Sequence, residues 1–220
     1  ALVALEILNT KVRSDGDADI KFKTNVLSNI ASYKKEMDSF LKQRKSRESN
    51  LLECVSEYTQ ESIKKLALNV EFAAMGEPLR TLTVTSTSPK EGKSSVSLML
   101  ACELASQGKN VLIADMDYRS PMIGRYLGRR NKKDIMDYLH GSAKLTEVIT
   151  RTNTPNLFFM DSNHRMAVNA NLDSFQRFLD EFGFAGIQEA GECVNRDLSH
   201  GLLLTDRRAW RWRPRPAWSR

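Results

Sequence analysis

The sequence predicts an α/β fold: a parallel sheet flanked by helices. Three observations predict it. Thr81–Ser86 (TLTVTS) is rich in β-branched residues, as suits a short strand. Ser94–Ser106 (SSVSLMLACELAS) has helical composition and is closed by Gly108. Val111–Ala114 (VLIA) is an unbroken apolar run, the mark of a strand covered on both faces. Strand, loop, helix and strand within about 35 residues make a βαβ unit, whose two strands must be parallel.

The chain has 220 residues, enough for one domain with an appended segment. A hydrophobic share of 41% supplies a core, and no apolar run approaches the ~20 residues of a membrane-spanning helix. Cys54, Cys102 and Cys193 are odd in number and have no CxxC pair, which argues against a disulfide framework or a cysteine-rich zinc site and suits a reducing compartment. The first residue is Ala1 and the opening ALVALEIL has neither a basic start nor a cleavage site, so it reads as a segment cut from something longer, not a signal peptide.

From the start, the elements run as follows. Ser14–Asp17 reads as a turn. Residues 31–48 are highly charged and lack Gly and Pro, which predicts a solvated helix or linker; Lys42, Arg44, Lys45 and Arg47 form a basic cluster there. Residues 55–74 carry Ile63, Leu66, Val70 and Ala73 at helical spacing, one buried stripe of an amphipathic helix ended by Gly76 and Pro78. Beyond the βαβ unit, a strand is expected at Asn156–Met160 and a helix at Leu172–Phe182. The net charge of +6 is uneven: residues 205–220 hold six arginines against Asp206, leaving the first 204 residues at +1. All three tryptophans lie in that same tail. Cys102 reads as a small core residue, and His140, His164 and His200 have no metal-ligand spacing. The basic loop Arg129, Arg130, Lys132 and Lys133 reads as solvated.

The chemistry is concentrated between the first strand and the next helix, in Ser86-Thr87-Ser88-Pro89-Lys90-Glu91-Gly92-Lys93-Ser94. A phosphate group needs converging backbone N–H donors, a residue that lets the chain wrap, a cation, and a hydroxyl for Mg²⁺. Gly92, Lys93 and Ser94 supply these at the positive end of a helix, as in a P-loop, although Thr87 stands where such a loop has its first glycine. Asp115 and Asp117 follow directly from the apolar run, 22 and 24 residues beyond Lys93, at the carboxyl end of a strand where open parallel sheets place their ligands. Two carboxylates there can help hold a metal ion or take a proton from an attacking hydroxyl.

These two elements, SxxPxEGKS and VLIADMDYRSP, resemble the Walker A and Walker A′ motifs of the bacterial tyrosine kinases of capsule and exopolysaccharide synthesis, relatives of the partition-type ATPases. Glu61–Phe72, Ile135–Gly141, Pro155–Met160 and the stretch from Leu5 to Ile30 resemble further segments, the last a juxtamembrane region of a fused polysaccharide co-polymerase, so the resemblance covers residues 4–182. It implies a P-loop ATPase fold in three parts: a juxtamembrane or linker segment (1–54), a partial kinase domain (55–183) and an atypical basic tail expected to be disordered (184–220). It implies ATP and Mg²⁺ as cofactors and autophosphorylation on tyrosine. Lys93, Asp115 and Asp117 would be catalytic, with Lys93 on the β- and γ-phosphates and Asp117 activating the tyrosine hydroxyl. Ser88, Pro89, Lys90, Glu91, Gly92, Lys93, Ser94 and Ser95 would bind the nucleotide, and Ser94 and Asp115 the metal, Asp115 through water. The implied partner is a polysaccharide co-polymerase or membrane adaptor at the cytoplasmic face of the bacterial inner membrane, with no nucleic acid except through the tail. Alternatives are an inactive nucleotide-binding module of such a co-polymerase and a partition-type ATPase, the latter disfavoured because Ser88 stands where those enzymes carry a signature lysine.

The chain departs from the family pattern at four places. Lys90 replaces a usual glycine. The Glu-x-x-Arg-x-x-Arg helix used in subunit contacts reads Glu61, Lys64, Ala67, which weakens the expectation of a homo-oligomer. No Walker B strand ending in Asp is visible after Phe182, so the sheet is expected to be incomplete on its C-terminal side. All five tyrosines (Tyr33, Tyr58, Tyr118, Tyr126, Tyr138) precede residue 139, leaving no C-terminal tyrosine cluster. The last two departures and the Arg/Trp-rich tail point to a foreign ending from about residue 184.

Overall fold

The computed structural model describes residues 25–42, 51–74 and 81–162 apart from 87, 118 and 119, the backbone of 201–205, and isolated positions before 25. Helix α1 (Lys34–Lys42) and a 3₁₀ turn (Leu51–Cys54) precede α2 (Glu57–Ala73). The βαβ unit follows as β1 (Thr81–Val84), α3 (Lys93–Ser106) and β2 (Val111–Asp115). Short helices α4 (Ile123–Tyr126), α5 (Ile135–Leu139) and α6 (Leu145–Val148) lead to strands β3 (Ile149–Arg151) and β4 (Leu157–Met160); β5 is Gly201–Thr205.

The five strands form one sheet in the order β1-β5-β2-β4-β3. β2 and β4 are parallel, and β5 is antiparallel to both β1 and β2, so β1, β2 and β4 share one direction. The expected parallel core is therefore present, but the sheet as a whole is mixed. β3 is antiparallel to β4 because only residues 152–156 connect them, too few for a crossover. β5 lies within the segment expected to be an atypical tail. The helix expected at Leu172–Phe182 lies outside the described residues, as do His164, His200, Cys193 and the basic cluster beyond Lys42.

Every residue of β2 is buried, which is what its unbroken apolar run requires. Successive side chains take opposite faces. Val111 and Ile113 join a core with Ile63, Ala67, Leu98, Met99 and Leu104 of α2 and α3; Leu112 and Ala114 join a second one with Ile135, Leu139 and Val148. α3 carries apolar residues around most of its circumference, in keeping with a helix buried between α2 and the sheet. Gly108, at φ +83, follows its C-cap Gln107 and closes it, its N–H donating to the Ala105 carbonyl. Cys102 is buried on this helix, and burial pushes its thiol up to about 12.

α2 begins at Ser56, whose hydroxyl accepts from the Thr59 N–H. Its buried stripe is Thr59, Ser62, Ile63, Ala67 and Val70. Leu66 is only half-buried, and Ala73, expected on the stripe, is exposed. Residues 25–42 do not stand apart as a solvated linker. The Ser28 hydroxyl donates to the Ser62 carbonyl at 2.8 Å, the Asn69 amide donates to the Leu27 carbonyl, and Met37 is buried in the core. Among the described residues no helix is long and apolar enough to cross a membrane, and no three His, Cys, Asp or Glu side chains cluster as a metal site would.

Candidate nucleotide site

After the carboxyl end of β1, residues 88–92 turn into the amino end of α3. The turn depends on two left-handed residues, Lys90 at φ +68 and Gly92 at φ +97. Gly92 takes that conformation freely. Lys90, where a glycine was the family expectation, takes it against the steric preference of any side chain. Gly92 is also the N-cap of α3 and brings no side-chain acceptor to it, so the first turn of a 14-residue helix is not capped by its own N-cap residue.

Within the loop the Ser86 hydroxyl donates to the Ser88 carbonyl at 2.9 Å, and the Ser88 N–H donates to the Glu91 carboxylate at 3.0 Å. The Lys93 ammonium reaches back across the loop and donates to the Ser86 hydroxyl at 3.0 Å. The cation is thus held over the loop's mouth. Ser88, Pro89, Lys90 and Glu91 are exposed; Gly92, Lys93 and Ser94 are half-buried; Ser95 is buried and donates to the Gly92 carbonyl at 2.9 Å. Ser86, which ties the lysine down, was not among the expected binding residues. Its signal was available: a hydroxyl one residue past the β-branched run, at the root of the loop.

Asp115 ends β2 and is 1% exposed. One carboxylate oxygen accepts from the Asp117 N–H at 3.1 Å; the other accepts from the Met122 and Ile123 N–H groups, both at 2.9 Å. Burial pushes its carboxyl up to about 6 despite these three donors. The side chain ties the Asp117, Met122 and Ile123 backbone to the end of β2 and so anchors the start of α4. Asp117 is half-buried and accepts from the Ser120 N–H at 2.8 Å, a local turn.

Gly201 pairs with Val84 on one side and Asp115 on the other. The phosphate-type loop and the Asp115–Asp117 segment therefore leave the same edge of the sheet, two strand spacings or roughly 10 Å apart. A strand running parallel in that slot would end at this edge and could deliver a carboxylate there. β5 runs the other way and enters with a glycine. A third strand-end carboxylate, Asp161, does follow β4, and sequence reading missed it. It is 2% exposed and accepts from the Asn131 and Ser162 N–H groups at 3.2 and 3.0 Å. Its signal was an Asp directly after the apolar NLFFM.

Residues 80–179 match the family described as an AAA domain. The tyrosine-protein kinase CpsD of Streptococcus agalactiae is 35% identical over 105 residues, covering 47% of this chain and 45% of that protein. The putative tyrosine-protein kinase EpsB of Ralstonia nicotianae is 33% identical over 100 residues, covering 46% of this chain and 13% of that protein. The chain thus spans less than half the length of these relatives. The kinase domain of the Escherichia coli tyrosine kinase ETK superposes with a TM-score of 0.64 at 21% identity, over 80% of this chain and 69% of that one, which establishes a common fold. Loop, sheet edge, relatives and fold point the same way: this part of the chain is similar to the P-loop ATPase domains of bacterial tyrosine kinases.

Proposed function

We propose that this chain binds Mg²⁺·ATP on the loop from Ser86 to Ser95 and transfers the γ-phosphoryl group to a tyrosine hydroxyl. One observation carries the reading: Lys93, at the left-handed amino end of α3, is held over a loop that shares its sheet edge with Asp115 and Asp117. The relatives' names as tyrosine-protein kinases support it. Ser88 to Ser95 would line the phosphates, with loop N–H groups and the Lys93 ammonium neutralising their charge. In the transfer, the tyrosine oxygen attacks the γ-phosphorus and the bond from that phosphorus to the β-phosphate oxygen breaks. The phenolic proton passes to the Asp117 carboxylate, and the products are phosphotyrosine and ADP.

Ser94 and Asp115 would hold Mg²⁺, which would offset charge on the phosphates. The donor set fits a weakly held, water-rich ion: one hydroxyl, and one carboxylate already engaged by three backbone N–H groups. As in the kinases it resembles, the domain would act at the cytoplasmic face of the bacterial inner membrane, beside a polysaccharide co-polymerase or adaptor, in control of capsule or exopolysaccharide export. Residues 1–54 would be the juxtamembrane part, 55–183 the kinase domain and 184–220 a foreign ending.

The direct test is Mg²⁺-dependent binding of ATP and ADP by the purified chain, with Lys93→Ala as control, followed by a phosphotyrosine assay. Binding lost in the variant, together with phosphotyrosine formed by the parent, is the expected result. Binding without phosphotyrosine would leave an inactive nucleotide-binding module. Equal binding by both proteins would remove the loop from the site.

A further inference from the structure

Tyr33 lies just before α1, far from the loop in sequence, yet its hydroxyl meets the first turn of α3. It is 2.9 Å from the Ser95 hydroxyl, which itself donates to the Gly92 carbonyl, so the phenol is the donor to Ser95. A methyl group built on Gly92 would lie 2.6 Å from the same phenolic oxygen. The phenol oxygen thus touches the N-cap and the third residue of the helix together. Glycine at such a position allows close approach by a ligand or another group, and here that space is taken by Tyr33. The ring is half-buried against the core beside Tyr126, and the segment is anchored on α2 by Ser28 and Leu27, with Met37 buried in the core.

The N–H groups of this first turn are the ones an anion would use. We propose that Tyr33 is an autoinhibitory plug: its docked phenol occupies space at the amino end of α3 that a nucleotide phosphate needs, so nucleotide binding and docking of residues 25–42 exclude one another. The inference rests on the nucleotide-binding reading above. When only the undocked fraction binds, the apparent dissociation constant rises as the undocked fraction falls. Whatever draws the segment away would then raise nucleotide affinity without touching the loop.

The test is titration of the full chain with Mg²⁺·ADP for the parent, Tyr33→Phe and Tyr33→Ala, with folding checked by circular dichroism. Removing one hydrogen bond in Tyr33→Phe, which keeps the ring's packing, should tighten binding about threefold, and Tyr33→Ala about tenfold. Amide hydrogen exchange across residues 25–42 should quicken when ADP saturates the parent. Equal or weaker binding by folded Tyr33→Phe, or slower exchange with ADP, overturns the plug and leaves the nucleotide reading standing. If neither parent nor variants bind ADP, the nucleotide reading fails and the plug with it.

Discussion

Asp115 and Asp161 stand side by side at the carboxyl edge of the sheet, each one residue beyond the paired Ala114 and Met160 of parallel strands β2 and β4. Both are almost fully buried, and burial raises both carboxyls above their ordinary range. Their acceptor atoms are committed to backbone N–H groups of the connecting loops, so the pair ties α4 and the 129–131 loop to the sheet. Gly124 fits beneath Asp161, where an added Cβ would come within 3.1 Å of its carboxylate and 3.0 Å of the Arg129 carbonyl.

The Asp115 shift makes a pH prediction. A carboxyl raised from 3.8 to about 6 on folding holds its proton more tightly in the folded state. Its stabilising contribution is full below pH 4 and is lost as pH rises through about 6, on the order of 3 kcal/mol at most. Asp115→Asn cannot titrate, and its amide would leave a backbone donor facing another donor. The variant should be less stable than the parent throughout, with the gap narrowing between pH 4 and pH 7. Urea unfolding of both proteins at several pH values measures this, and a constant gap would refute the raised carboxyl.

The two left-handed residues of the loop should respond oppositely to substitution. Lys90→Gly removes the steric penalty at φ +68 but adds freedom to the unfolded chain, for a net gain of about 0.5–1 kcal/mol. Gly92→Ala introduces a side chain at φ +97 directly against the Tyr33 hydroxyl and should cost about 1–3 kcal/mol of stability. Thermal denaturation ranks the three proteins. A destabilised Lys90→Gly would mean the lysine side chain contributes more than its backbone costs.

The βαβ unit was legible because its signals are local: β-branched and apolar runs, a glycine stop, and a loop whose residue types match one chemistry. The strand at Leu157–Met160 was legible for the same reason. What the sequence could not show depends on contacts between distant segments. Charge density made residues 31–48 look solvated, but Met37, Phe40 and Leu41 pack α1 against the core, and Tyr33 meets Ser95 across 62 residues. The apolar run Gly201–Thr205 sits among arginines and was read with them, although its backbone completes β1 and β2. Asp115 looked like a free metal ligand in the sequence; three backbone donors, invisible there, engage it.

Asp117 and Lys93 should separate kinetically. Asp117→Asn keeps an oxygen for the Ser120 N–H and should bind nucleotide as the parent does, while its phosphotyrosine formation falls about 10²- to 10⁴-fold through loss of the proton acceptor. Lys93→Ala should lose both binding and transfer. Single-turnover assays with saturating ATP distinguish the two. Unchanged transfer by Asp117→Asn would pass the role of base to another group.

Ala67 stands at the second basic position of the Glu-x-x-Arg-x-x-Arg pattern, and the fold explains why a basic residue is absent there. Its side chain is fully buried between α2 and α3, in the cluster that holds Ile63, Leu98 and Cys102. A guanidinium at that point would be both oversized and stripped of water without a partner, at a cost of several kcal/mol. Glu61 and Lys64, by contrast, are exposed and paired with each other at 3.0 Å. Ala67→Arg should therefore unfold the domain or lower its midpoint by more than about 10 °C instead of restoring subunit contacts. A scanning calorimetry trace and a sedimentation run on the same sample decide it: a stable, assembled Ala67→Arg protein would show that α2 turns a different face to its core.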